Sequence, residues 1–493
     1  MHPTHQTILS LARAGNPVRA WALFQSSGLA AQEDDPKVLT LKGRLLKDLA
    51  RRAEGDERSR LYSQASDAYM AANALGEDSY PLINAAALAC FAGDDARAGR
   101  IASRVLTLID NDPNEGETAY WREATRAEAH LLLRQMDQAT AALALAYKKL
   151  PFAHEDQAAT LGQFDRILEA QGEDPSWLEP FRVPCSVNFV SDIDNDFSAD
   201  QMTRVIEQSL DQLTPGYGFG TIRDVPDLLF AERLLESGAE LSLVFARDPE
   251  AICSSVFAPR ASQWEHRFRS VLAKAVQIEV LPLVLAHPPI PENITNEIVQ
   301  LVTVGQSLRR SEALRSRAHS IVVSRRNEQA PLRVEFLNTQ SMPRFGAKPS
   351  FTNASEATQH GTASLTMLKG LVSVKEAEAI LGIPQAQKLK AVETADGRLY
   401  QGSLHDALDA AVAIAAQAQT SVSLHLGHPN GRAVWESLSD RMARFARAEH
   451  AAHLKMGLQS AMIAKVLRPS LRIEELGEIQ TYSGHASIWS AME

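Results

Sequence analysis

Asp192, Asp194 and Asp196 alternate along five residues just after an apolar run, and their carboxylates could share a hard divalent cation. No further oxygen or nitrogen ligands cluster with them, so the expectation is a solvated acidic loop and no metal site. His425 and His428 stand three apart at a strand end, also without companion ligands, and read as loop histidines. Cys90, Cys185 and Cys253 are scattered, form no CxxC pair and read as small buried hydrophobes. The run Pro215-Gly216-Tyr217-Gly218-Phe219-Gly220 reads as a glycine-rich turn, and it leads through Arg223 to a helix carrying Asp227. Arg309, Arg310, Arg315, Arg317, Arg325 and Arg326 form a basic stretch, read as a solvated helix face and loop.

These residues must be positioned by a chain of 493 residues, enough for about three domains. The net charge of −10 gives no general basic face for nucleic acid. The N-terminus lacks a charged region followed by an apolar one, and no run nears 18 apolar residues. A cytoplasmic location is expected.

From Thr7 to Gly172, apolar positions recur at helical spacing and predict helices near 4–14, 17–27, 36–52, 57–75, 80–92, 95–109, 115–134, 137–149 and 154–171. The short connections demand antiparallel packing. Small Ala127 and Ala139 let two backbones approach, Leu143 and Ala146 continue the stripe, and Pro151 ends the second helix. Ala98, Ala102 and Val105 echo the pattern in the preceding pair. Ala-x3-Leu-x2-Ala-x4-Pro resembles the second helix of a tetratricopeptide repeat. Ser79 to Ala86 resembles a helix start in bacterial repeats related to the TRAF-binding region of stress-activated kinase kinase kinases. Residues 1–175 are therefore expected to form an α-solenoid that binds a protein partner, with Ala98, Ala127, Ala139 and Leu143 as the repeat positions.

Residues 180–327 alternate strand and helix: strands at 183–190, 240–245, 276–283 and 319–325, and helices at 199–213, 225–237, 261–275 and 294–317. This order predicts a parallel sheet with helices on both faces. Asp227 to Leu241 and Trp264 to Phe268 resemble the Rossmann-like nucleotide-sensing domains of the SLOG group. The resemblance implies a phosphate held near Gly218, Gly220 and Asp227 by backbone N–H groups at a helix start.

Residues 328–360 read as a polar linker, and 361–493 as a shorter α/β domain. Its strands are expected at 363–368, 387–393, 420–426, 471–480 and 484–490, and its helices at 374–381, 403–418, 433–446 and 457–465. The stretches 363–370, 387–397, 422–427 and 438–444 resemble a shortened class III nucleotidyl cyclase domain. The resemblance implies Lys388 as the base-selecting lysine, Asp396 as a metal carboxylate and Arg444 as the phosphate-binding arginine. It also exposes a loss: Met367 stands where the first metal carboxylate belongs, and a thioether does not bind Mg²⁺. Asp440 replaces a ribose-orienting Asn.

The combined expectation is a multidomain α and α/β protein without catalytic residues. It would be a cytoplasmic signalling scaffold whose repeats bind protein and whose pseudo-cyclase domain senses a nucleotide or forms a homodimer. The cofactor expectation is none, or a nucleotide carried with Mg²⁺; nucleic acid and membrane are not expected partners. The alternatives are a divergent adenylate or guanylate cyclase, with Glu376 or Glu378 recruited as the missing carboxylate, and a nucleotide-processing enzyme centred on the middle domain.

Overall fold

The computed structural model describes residues 5–13, 16–76, 78–112, 118–182, 184–192, 198–281, 283, 290–324, 333–338, 368–374, 382–394, 397–417, 420–428, 442, 454–481 and 484–492. They fall into two compact units, Met1–Arg182 and Val183–Glu493.

The first unit is helical: α1 (His5–Arg13), α2 (Pro17–Ser26), α3 (Pro36–Ala50), α4 (Gly55–Leu75), α5 (Ser79–Phe91), α6 (Asp95–Asn111), α7 (Ala119–Leu132), α8 (Met136–Lys149) and α9 (His154–Gln171). Local chemistry sets these ends. Asp35, Asp78, Asp94 and Thr118 each accept a backbone N–H from the first turn of the helix they precede. Successive helices from α1 to α8 pack as neighbours, and α5, α7 and α9 also touch one another directly. That direct contact makes α5, α7 and α9 one row of the stack, which α3 joins through the bond from Lys47 to Asn84. Ala98, Ala127, Ala139 and Leu143 are all buried between helices. They set the helix spacing, as the repeat pattern requires of them.

The second unit begins with a six-stranded sheet ordered β4-β3-β2-β1-β5-β6. Its strands are β1 (Cys185–Asp192), β2 (Pro215–Gly220), β3 (Glu240–Phe245), β4 (Gln277–Val280), β5 (Ala318–Ser324) and β6 (Arg333–Asn338). The first five in that order run parallel, and β6 is antiparallel to β5. Between them lie α10 (Ala199–Leu210), α11 (Val225–Glu236), α12 (Pro249–Ile252, continued by a π turn to Phe257), α13 (Ser262–Lys274) and α14 (Glu292–Ala313). Residues of α10, α11 and α13 share a core with alternate residues of β1 and β3, whereas α14 joins a different core with Val244. The helices therefore cover both faces, as alternation predicts.

Two expectations fail in this region. The glycine run is a strand, not a turn, because its alternate glycines admit close neighbours on one face of a buried sheet. A Cβ on Gly218 would lie 2.8 Å from Leu234 Cδ1, and one on Gly220 would strike the Phe189 ring. The expected linker also contains β6, which closes one sheet edge.

A second, seven-stranded sheet is ordered β12-β13-β11-β10-β7-β9-β8. It comprises β7 (Lys369–Val374), β8 (Lys390–Thr394), β9 (Gly397–Gly402), β10 (Val422–Gly427), β11 (Leu454–Met456), β12 (Arg472–Thr481) and β13 (Gly484–Met492), with α15 (Leu404–Gln417) and α16 (Leu458–Leu467). The strand expected at 387–393 starts later, after a 3-10 turn over Pro384–Lys388. Residues 363–367, 375–381, 433–441 and 443–446, expected as parts of a strand and two helices, lie outside the described residues.

The two sheets share one core in which Ile298 and Val302 of α14 join Leu408 of α15, Leu424 of β10 and Met462 of α16. At Gly305 the α14 backbone lies so close to α16 that a Cβ would come within 2.7 Å of the Met462 carbonyl carbon. Buried Lys465 uses all three N–H donors, to Glu312 Oε2 (2.6 Å) and to the carbonyls of Pro469 and Leu471 (both 2.7 Å). Arg309 stacks on Trp489 with 4.5 Å to the ring centroid. What the sequence divides at a polar segment is thus one packed unit, joined by residues far apart in the chain.

Candidate functional site: the inner groove of the helical unit

Polar side chains gather on the row of α3, α5, α7 and α9. Lys47 of α3, Asn84 of α5, Glu128 of α7, and Gln163 and Arg166 of α9 are half-buried on helices whose buried positions are mostly apolar. Lys47 Nζ donates to Asn84 Oδ1 at 3.5 Å, its one hydrogen bond among the described residues. Gln163 Nε2 donates to Glu128 Oε1 at 3.0 Å, and Arg166 Nη2 donates to Gln163 Oε1 at 2.6 Å. Four helices therefore contribute to one polar floor.

The charges do not cancel. Burial first, then the neighbouring Arg51, pulls the Lys47 ammonium down to about 8, with Arg166 and Arg44 adding to the repulsion. Burial pushes the Glu128 carboxyl up to about 7, against the opposing pull of Gln163, Arg166 and Lys47. Asp48 is already engaged by Arg51 at 3.4 Å and Arg44 at 4.0 Å. Arg44, Lys47, Arg51 and Arg166 thus outnumber Asp48 and Glu128, and an anionic group entering the groove would be attracted. A separate cleft of about 180 Å³, lined by Asn73, Leu82, Arg104, Thr107, Leu108 and Asn111, is small beside the roughly 300 Å³ of small-ligand sites.

The sequence reading missed this set. Its one available signal was Lys47, Asn84, Glu128 and Gln163 breaking apolar stripes on alternate helices.

The residues singled out in sequence are dispersed or engaged. Asp227 is fully buried. Its Oδ2 accepts from the Arg223 backbone N–H (3.0 Å) and Nε (2.9 Å), and its Oδ1 from the Ser191 N–H (3.2 Å) and hydroxyl. The carboxylate already occupies the donors that a phosphate would need at the carboxyl ends of β1 and β2. Gly218 and Gly220 are covered by Leu234 and Phe189 side chains. These three residues do not fit a phosphate. Lys388 is exposed, with Asp406 at 3.6 Å. The Asp192 side chain and Asp194, Asp196, Met367, Glu376, Glu378, Asp396, Asp440 and Arg444 lie outside the described residues. Among the described residues no three His, Cys, Asp or Glu side chains cluster as metal ligands, and no helix is long and apolar enough to cross a membrane.

A family model described as Tetratricopeptide Repeats-Sensor matches residues 4–89, the span from the chain start into α5. Neither curated proteins nor solved structures gave a match.

Proposed function

We propose that this protein is a signalling scaffold whose inner groove binds an acidic segment of a protein partner. The observation that carries this reading is the convergence of Lys47, Asn84, Glu128, Gln163 and Arg166 from four helices with an excess of positive charge. The family match to repeats of a sensor class over 4–89 supports it, since stacked helical repeats generally present their curved face to other proteins. Charge reversal tests it. The double variant Lys47→Glu, Arg166→Glu should release acidic proteins retained by the wild-type chain, at unchanged helicity. Retention of the same acidic proteins by the double variant would refute the groove as their site.

The second unit is proposed to sense a nucleotide without turning it over, or to self-associate. The order β10-β7-β9-β8, from chain order β7, β8, β9, α15, β10, is a split β-α-β type arrangement, which supports the cyclase-like reading of 361–493. The engaged Asp227 argues against nucleotide processing in the first sheet. Titration of the full chain with ATP or GTP and Mg²⁺ should give binding heat without cyclic product. Cyclic product that an Asp396→Ala change abolishes would establish the divergent cyclase instead.

A further inference from the structure

The first sheet ends at β4, whose far side pairs with no strand among the described residues. Val276, Ile278 and Val280 are 67%, 41% and 44% exposed, and they are the exposed large hydrophobics of the α/β unit among the described residues. Natural edge strands are commonly blunted by Lys, Pro or a bulge. This one is short and carries Glu279, but it has no Lys, Pro or bulge within Gln277–Val280.

The run is close to a palindrome: Val276-Gln277-Ile278-Glu279-Val280. We infer that β4 pairs antiparallel with β4 of a second copy of this chain about a two-fold axis through Ile278. Ile278 then faces Ile278 of the second copy, Val276 faces Val280, and Gln277 faces Glu279. The β3 register places Ile278 beside Leu243 and Val280 beside Phe245, so the apolar residues share one face. Pairing would gather six β-branched side chains there, three from each copy. On the opposite face each Gln277 amide would donate to a Glu279 carboxylate. Leu281 N–H bonds inward to the Phe245 carbonyl at 2.8 Å, so strand alternation turns the Ile278 N–H and C=O outward; Val276 N–H is donated inward to the Leu241 carbonyl at 2.8 Å, so the central bonds between copies run through Ile278. A two-fold isologous contact closes on itself, which separates it from open-ended edge aggregation. A four-residue strand offers little area beside the roughly 1,000 Å² of a stable interface, so the dimer is reversible and concentration-dependent.

The test uses the full chain. Sedimentation across a concentration series should show a monomer–dimer equilibrium for the wild type and monomer throughout for Ile278→Lys. Ile278→Cys should form a covalent dimer under mild oxidation, because directly opposed residues stand about 5.5 Å apart at Cα, within disulfide reach. Val276→Cys, equally exposed but four residues from its own copy in this register, should not. The native cysteines are buried and do not interfere. A wild type that stays monomeric to its solubility limit, or equal cross-linking of both cysteine variants, would overturn the pairing. If Ile278→Lys fails to fold, the cysteine pair still decides.

Discussion

The helical unit and the α/β unit treat their buried polar groups in opposite ways. In the helical unit, Lys47 and Glu128 sit on a shared floor with few hydrogen bonds and ionisation pulled toward neutrality. In the α/β unit, Lys465 and Asp227 are buried more deeply, and each is surrounded by a set of partners. A buried charge costs free energy unless it is paired, so a fold that tolerates under-bonded charge usually does so where something else will bind. The contrast fits the recognition role proposed for the first unit and a cohesive role for Lys465 and Asp227 in the second.

The sharpest way to break that contrast is to remove the lysine staple. Lys465→Ala should cost about 3 kcal/mol in the unfolding of the α/β unit, since two carbonyls and Glu312 lose their donor. Denaturant unfolding followed by tryptophan fluorescence would measure it, and an unchanged midpoint would show that Lys465 is not cohesive.

A smaller loss, about 1–3 kcal/mol, is expected from Gly305→Ala, whose new methyl must push α14 away from the Met462 backbone. Its thermal midpoint should fall in the transition of the α/β unit and leave the helical transition in place.

The smallest effect is a pH dependence in the helical unit. Glu128 binds its proton more tightly folded, at about 7, than its ordinary value of 4.5. Between those values the native state holds more protons than the unfolded one, so stability declines as pH rises from 4.5 to 7. Lys47 works in the other range: its folded value near 8 lies below 10.5, so stability recovers as pH climbs from 8 to 10.5. Glu128→Gln should flatten the acidic limb alone. Melting curves across pH would show it, and an unflattened limb would assign the slope to another group.

The helices of the first unit were legible because each is fixed by neighbours within a few residues. Apolar spacing and short connections placed them within a few residues of their observed ends. The first sheet was legible as alternation, except where glycine misled: β2 is glycine-rich because Phe189 and Leu234 need the space, a demand set by contacts remote in sequence. The candidate site was scarcely legible. Lys47, Asn84, Glu128 and Gln163 lie 35 to 44 residues apart, and no local pattern connects them.

By itself the sequence determined the repeat architecture and the strand–helix alternation, since each depends on residue type at short spacing. Tertiary structure alone decided that Asp227 is bonded internally, that the two sheets share a core through α14 and α16, and that polar residues of four helices meet in one groove. Those outcomes depend on which surfaces fold together, and burial, not spacing, sets whether a charged side chain is held or left to bind.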